Sequence, residues 1–177
     1  MKTNKISTKT LVQASFLTAL SIVLTRLLSF LPKDTIRLGF GELPLMISGF
    51  LFGPIVGGIS GATADVIGLM INPMGPPHPG ITISTMLWGI IPGLYMIIYR
   101  SLKRKGDPYS KLGISIVVII SNIIISITLT TYWLSQLYGS GFLILLPERI
   151  IVSLINMLVQ SVIIFNLLKY LKKIPLN

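Results

Sequence analysis

The chemistry that this sequence could do begins with Asp65, the only carboxylate inside a long apolar run. Gly53, Gly57, Gly61 and Asp65 recur every four residues, so on a helix all four lie on one face. In a bilayer such small residues let helix backbones approach closely, and an ionisable group among them is a candidate functional residue. Asp65 fits a structural anchor better than a contact to an anionic ligand, because like charges repel.

Several further residues could recognise a flat ligand that carries carboxylates. Guanidinium groups pair with carboxylates through parallel hydrogen bonds, and aromatic rings stack on other flat rings. The candidate substrate-binding residues are Arg26, Arg37, Phe40, Trp88, Tyr132, Trp133 and Arg149.

Arg26 and Arg149 each lie near a predicted helix end, where roles that involve no ligand are also open. Arg26 could extend to the membrane surface, form a structural ion pair with Asp65, or contact a ligand. Arg149 follows Glu148 at a predicted helix start, where the two could simply form a cap pair.

The aromatic candidates and His78 also have possible roles that involve no ligand. Tyr132 and Trp133 could belong to the aromatic belt at the membrane surface. His78 lies between prolines in a predicted loop and is the only histidine, so it cannot build a metal site.

The sequence has no Ser/His/Asp set, no close pair of acids, no G-x-x-x-x-G-K-[ST] phosphate loop and no cysteine. It therefore predicts a protein that is not an enzyme and holds no cofactor or metal.

The composition sets the solvent in which these residues must work. Of the 177 residues 52% are hydrophobic and only 11% are charged, and the mean hydropathy is +0.83. These values predict an integral membrane protein that crosses the bilayer several times. The net charge of +10 could suggest nucleic acid, but the cations lie between the apolar runs, where they are expected to set membrane topology.

The apolar runs predict six transmembrane helices in a single membrane domain, 1–177. The helices cover approximately 10–31, 43–52, 53–71, 81–100, 112–138 and 147–169. Most of the 15 Lys and Arg residues lie at the N-terminus, between the fourth and fifth helices, and in the C-terminal tail. The positive-inside rule puts all three in the cytoplasm, and the even number of crossings before the central link requires a break at Gly53-Pro54.

The predicted second helix is too short to cross a membrane alone. Its ten or so residues span about 15 Å, against about 30 Å of hydrocarbon. It must therefore start inside the bundle, where irregular backbone is tolerated beside protein or water. The expected fold is an all-α membrane protein with both termini in the cytoplasm, a short second helix and a binding recess open to the outside.

The first helix carries small residues that could meet another helix. Ser15 and Ala19 are four residues apart, and Ala14 lies beside them. The sequence alone leaves open whether the partner belongs to the same bundle or to a different subunit.

Two stretches of this chain resemble a known family. The run RLGFGELPLMISGFLFGPIVGGISGATADVIGLM, from Arg37 to Met70, is followed by PPHPGITISTMLWGIIPGLY, from Pro76 to Tyr95. Together they are similar to the substrate-binding S components of energy-coupling factor (ECF) transporters, and within these to the folate-specific branch. The same fold serving pantothenate or riboflavin, and an autonomous small-molecule carrier, are the alternatives.

The resemblance implies a function and a set of partners. Such a subunit of a prokaryotic cell membrane would bind a folate-like vitamin from outside. It would release the vitamin inside with a membrane coupling (T) subunit and two cytoplasmic ATPase subunits. The coupling contact would lie at Ala14, Ser15 and Ala19.

The resemblance also implies roles for the glycine stripe and for two loops. The glycines from Gly53 to Gly61 would let the second and third helices pack tightly. The loops from Pro32 to Gly41 and from Asn72 to Gly80, the second of which contains His78, would act as gates.

Overall fold

Six helices and one short hairpin make up the described part of the chain. The computed structural model describes residues 7–27, 30–33, 36–38, 40–73, 75–102 and 107–171. The helices are α1 Thr8–Arg26, α2 Glu42–Phe52, α3 Pro54–Ile71, α4 Pro79–Ser101, α5 Lys111–Tyr138 and α6 Phe142–Leu171. All except α2 are long and apolar enough to cross a membrane, which confirms the predicted helical fold with a short second helix.

The structure differs from the sequence prediction at two helix ends. The first helix ends at Arg26 rather than near residue 31, because β1 (Phe30–Lys33) pairs antiparallel with β2 (Ile36–Leu38) and needs extended backbone. The last helix begins at Phe142 rather than at 147, with Pro147 inside it. Proline is tolerated inside membrane helices, since neighbouring groups can satisfy the backbone acceptor that it leaves.

The break between α2 and α3 lies at the predicted Gly53-Pro54. Gly53 has φ +91° and ψ 177°, a backbone conformation that essentially only glycine adopts. A Cβ at this position would meet no atom within 4 Å, so conformation alone requires the glycine. Pro54 follows as the first residue of α3, where its missing N–H costs no helical hydrogen bond.

The short helix α2 lies inside the protein. Every residue from Leu43 to Phe50 is buried, and α1, α3 and α4 pack around the helix. A helix of 11 residues rises only about 16 Å, so protein must replace lipid around much of it.

The glycine stripe of α3 packs against α2, as the resemblance implied, and makes its closest approach to α4. A Cβ at Gly57 would lie 2.6 Å from the carbonyl oxygen of Gly89 and 2.9 Å from the Cα of Gly49 in α2. A Cβ at Gly61 would collide with the backbone of Thr85. The backbones of α3 and α4 therefore touch without side chains between them.

The substitution Gly57→Ala is expected to destabilise the bundle by about 1–3 kcal/mol, because the added methyl group would force α3 and α4 apart. Thermal unfolding of the purified protein in detergent would measure this. Gly141→Ala is the matched control, since a Cβ there would lie 3.4 Å from the flexible side chain of Ile144. Equal unfolding temperatures for the two variants would contradict this account of the packing.

Candidate functional site

A recess opens among the six helices, at the end of the bundle where α1 ends and α4 begins. Each helix contributes to its wall, as does the loop between α3 and α4. Both guanidinium and carboxylate side chains lie in the wall, beside hydroxyl and carboxamide groups. The wall includes Arg26, Glu42, Asp65, His78, Ser84, Thr85, Trp88, Asn122, Ser126, Thr130, Tyr138, Arg149, Asn156 and Gln160.

One corner of the recess is held by a buried ion pair. The Arg26 guanidinium lies 3.2 Å from a carboxylate oxygen of Asp65, and the two side chains are 5% and 7% exposed. The other carboxylate oxygen accepts a 2.7 Å hydrogen bond from the hydroxyl of Thr82 in α4. The Arg26 guanidinium also donates to the backbone carbonyl oxygen of Asn72. In return, the side-chain nitrogen Nδ2 of Asn72 donates to the backbone carbonyl oxygen of Arg26. These bonds tie α1, α3, α4 and the start of the α3–α4 loop together.

This geometry excludes one of the three roles that the sequence left open for Arg26 and shows another. The side chain is buried, so it does not extend to the membrane surface, and its guanidinium is part of a structural bridge. Gly68 leaves the space for that bridge, because a Cβ there would lie 2.6 Å from Arg26 Nε. The same guanidinium lines the recess, so a ligand contact is compatible with the bridge.

The recess brings together part of the predicted site. Of the predicted ligand contacts, Arg26, Trp88 and Arg149 lie in the wall. Asp65 and His78, for which the sequence predicts structural or gating roles, lie there as well. Trp88 is buried, with 7% of its surface exposed, whereas Arg149 is partly exposed.

Other predicted contacts lie outside the wall of the recess. Phe40 and Tyr132 are 44% and 46% exposed. Trp133 is half-buried over Gly80, with its ring centroid 5.3 Å from that of His78 and 5.0 Å from that of Tyr132. These aromatic rings therefore pack beside the recess.

Some predicted residues have other positions or are not described. The side chain of Arg37 and much of the predicted gate from Pro32 to Gly41 lie outside the described residues. On α1, Ala14 faces the bundle while Ser15 and Ala19 are exposed. Within the described structure, the Ser15/Ala19 surface is therefore not used for internal packing.

Sequence reasoning missed the polar residues of α5 and α6. Asn122 donates from Nδ2 to Gln160 Oε1 at 3.0 Å, and the hydroxyls of Ser126 and Ser153 lie 2.9 Å apart. A signal for them was present, because carboxamides in runs of Ile, Val and Leu are costly in lipid and should face the protein interior. Asn156 and Gln160 are also four residues apart and so share a helix face.

The backbone of α5 widens where it lines the recess. Over Asn122–Thr130 it forms a π-helix, in which each amide bonds five residues back. The hydroxyl of Thr131 likewise donates to the carbonyl oxygen of Ser126, five residues earlier. Such segments are frequent at functional sites, and this one carries three wall residues, Asn122, Ser126 and Thr130.

The site offers charge, hydrogen bonds and an aromatic face rather than metal ligands. Among the described residues, no three His, Asp or Glu side chains are grouped so that they could hold a metal ion. The arrangement suits the binding of an organic molecule with both polar and flat parts.

Comparisons with known proteins identify the family. The family model described as the ECF-type riboflavin transporter, S component, matches residues 5–173. The chain belongs to the S components of ECF-type transporters. This S component is 32% identical over 167 residues to the folate transporter FolT of Clostridium novyi (strain NT), covering 94% of this chain and 91% of the relative.

Two solved structures share the fold of this S component. The crystal structure of FolT bound with folic acid has a TM-score of 0.76 and 25% identity, over 90% of this chain and 93% of that one. A structure of the S component of a bacterial ECF transporter has a TM-score of 0.68 and 27% identity, over 93% of this chain and 96% of that one. The family resemblance is thereby confirmed, and this S component is a multi-pass membrane protein and a transport subunit.

Breaking the ion pair on one side should destabilise this S component strongly. Arg26→Leu or Asp65→Leu alone would leave one buried charge without its main partner, at a cost of about 3–5 kcal/mol. The double variant should lose much less than the sum, because it buries no charge at this site. Thermal unfolding in detergent measures all three, and Arg100→Leu, at an exposed position, is the control. Additive losses would contradict the assignment of a coupled pair.

Proposed function

We propose that this S component binds folate in the recess, takes it from outside the cell and releases it inside together with ATP-driven partner subunits. The observation that carries the proposal is the recess, whose wall combines the Arg26 and Arg149 guanidinium groups with the indole of Trp88. Folate joins a flat pterin ring through a benzoyl group to a glutamate with two carboxylates. Its chemistry therefore matches a wall that offers guanidinium groups and an aromatic face.

The similarity to named relatives supports the same ligand. The relative with 32% identity is named a folate transporter, and the structural neighbour with a TM-score of 0.76 has folic acid bound. The matching family model carries the name of riboflavin, so riboflavin is the competitor against which folate must be tested.

The length of the recess suits an elongated ligand. Arg149 and Gln160 line it from the same helix, 11 residues apart, which corresponds to about 16 Å along α6. We place the glutamate carboxylates near Arg149, at the end where α6 begins, and the pterin ring near Gln160. Arg149 lines the recess at a partly exposed position, and we propose it as the principal carboxylate contact.

The positive-inside rule supports an outward-facing mouth. The basic link between α4 and α5 and the basic chain ends favour the cytoplasm. The recess lies at the opposite end of α4, near His78 and the start of that helix. Both termini would then be cytoplasmic and the ligand would enter from outside.

The partner subunits proposed here are one membrane coupling (T) subunit and two cytoplasmic ATPases. Membership of the ECF S components supports release that is driven by partner subunits, and the sequence contains no G-x-x-x-x-G-K-[ST] phosphate loop. The exposed face of α1 around Ser15 and Ala19 is the contact proposed for the coupling subunit, since small residues let another helix approach closely.

The direct test of the ligand is a titration of the purified protein. Folic acid should change the fluorescence of the 2 tryptophans, and calorimetry should give saturable binding that excess riboflavin does not displace. Binding of riboflavin in place of folic acid would move the proposal to the other vitamin. Absence of binding for both would refute it.

The variant Arg149→Ala should weaken folic acid binding by a factor of about 10 to 100, because a charge-assisted hydrogen bond to a carboxylate is lost. The diamide of folic acid, whose glutamate carboxylates are masked, should bind the variant and the wild type equally. Arg100→Ala is the control, since Arg100 lies exposed at the other end of α4. An equal loss of affinity for folic acid and its diamide would show that Arg149 does not contact the carboxylates.

The variant Ala19→Trp should abolish folate uptake by cells while leaving the folic acid affinity of the purified protein unchanged, because a bulky ring on α1 would block the coupling subunit. Radiolabelled uptake and calorimetry measure the two quantities. Leu158→Trp, at a position 73% exposed on α6, is the matched control and should keep uptake. Normal uptake by Ala19→Trp would contradict the proposed contact.

A further inference from the structure

A buried donor in the wall of the recess lacks a partner. The side chain of Gln160 is 1% exposed and lines the recess. Its Oε1 accepts the hydrogen bond from Asn122, but its Nε2 has no hydrogen-bond partner among the described residues. Buried amide donors are almost always paired, so an unpartnered one beside a cavity points to a ligand that supplies the acceptor.

The orientation of this amide is fixed by the backbone. Asn122 Nδ2 donates to the carbonyl oxygen of Val118 at 3.0 Å as well as to Gln160 Oε1. A backbone carbonyl can only accept, so the nitrogen of the Asn122 amide must face it. That nitrogen then needs an acceptor on Gln160, which turns the Gln160 oxygen toward Asn122 and leaves the Gln160 nitrogen for another partner.

The two amides therefore present one donor and one acceptor. Both hydrogens of Asn122 Nδ2 are used, while Asn122 Oδ1 accepts no hydrogen bond within the described part of the chain. A ring carbonyl next to a ring N–H, the lactam edge of a heterocycle, is complementary to such a pair. The pterin of folate carries this edge at its 4-oxo group and the adjacent N–H.

We propose that Asn122 and Gln160 determine specificity by binding the lactam edge of the ligand's ring, with Gln160 Nε2 donating to the ring carbonyl and Asn122 Oδ1 accepting from the ring N–H. This inference rests on the proposed folate function. It adds the part of the ligand that is read and the residues that read it. A ring in which the carbonyl is replaced by an amino group reverses the pattern and sets donor against donor and acceptor against acceptor.

The test compares folic acid with its 4-amino analogue, which carries that reversal. The wild type should prefer folic acid by a factor of about 100, since two hydrogen bonds are each worth roughly tenfold. In Gln160→Met, which has a similar shape and no donor, this preference should fall by about tenfold or more. Gln136→Met makes the same change at an exposed position of α5 and should alter neither affinity.

The outcomes separate this inference from the proposed function. If the wild type binds folic acid and the analogue equally, or if Gln160→Met keeps the wild-type preference, the lactam contact is wrong and a water satisfies the amide, while the folate function stands. If the wild type binds neither compound, the proposed function fails and the inference with it. The comparison in the wild type needs no variant, so equal binding of the two compounds there overturns the lactam contact even if Gln160→Met does not fold.

Discussion

The structure depends on the rule that a polar group in hydrocarbon must find its partner inside the protein. Arg26 and Asp65 obey this rule across α1 and α3, and Thr82 extends the pair to α4. Asn122 and Gln160 obey it in part, through the hydrogen bond from Asn122 Nδ2 to Gln160 Oε1 across α5 and α6. Because these polar groups face away from lipid, they lie together around the recess. The lipid environment, in which exposed polar residues are costly, therefore favours a recess that can bind a polar ligand.

Close backbone packing is the second requirement. In lipid, apolar helices have no hydrophobic driving force for association, so α3 and α4 associate through van der Waals contact. Gly57 and Gly89 make this contact possible, because they have no side chains to separate the two backbones. The same tight pairing holds Asp65 and Thr82 at a fixed separation. The polar residues of α5 and α6 form the other wall of the recess, where there is room for a ligand.

Several features could be predicted from the sequence because they depend on local chemistry or on chain length. The sequence Gly53-Pro54 predicts a helix break, because proline disfavours a continuous helix. The positive-inside rule predicts the same break, because the number of crossings before the central basic link must be even. A buried carboxylate such as Asp65 needs a partner, and Arg26 is among the few cations within apolar segments.

Other features depend on tertiary geometry that no local pattern contains. The stripe of small residues on α3 predicts a tight helix contact, but it does not say that α4 is the closest partner. A proline normally marks a helix end, so the sequence predicts that α6 starts at Pro147, whereas the helix begins upstream at Phe142. Asn122 and Gln160 lie 38 positions apart, and only the packing of α5 on α6 shows that they share a hydrogen bond and face the same space.

The most direct test of the account is a cysteine-protection experiment, which is clean because the chain has no cysteine. Leu137→Cys would place a thiol in the wall of the recess, and Ser101→Cys one at the other end of α4. In intact cells, a membrane-impermeant maleimide should label the first position and not the second, and folic acid should slow the first reaction. Labelling at Leu137→Cys that folic acid leaves unchanged, or labelling at Ser101→Cys and not at Leu137→Cys, would contradict an outward-facing folate site.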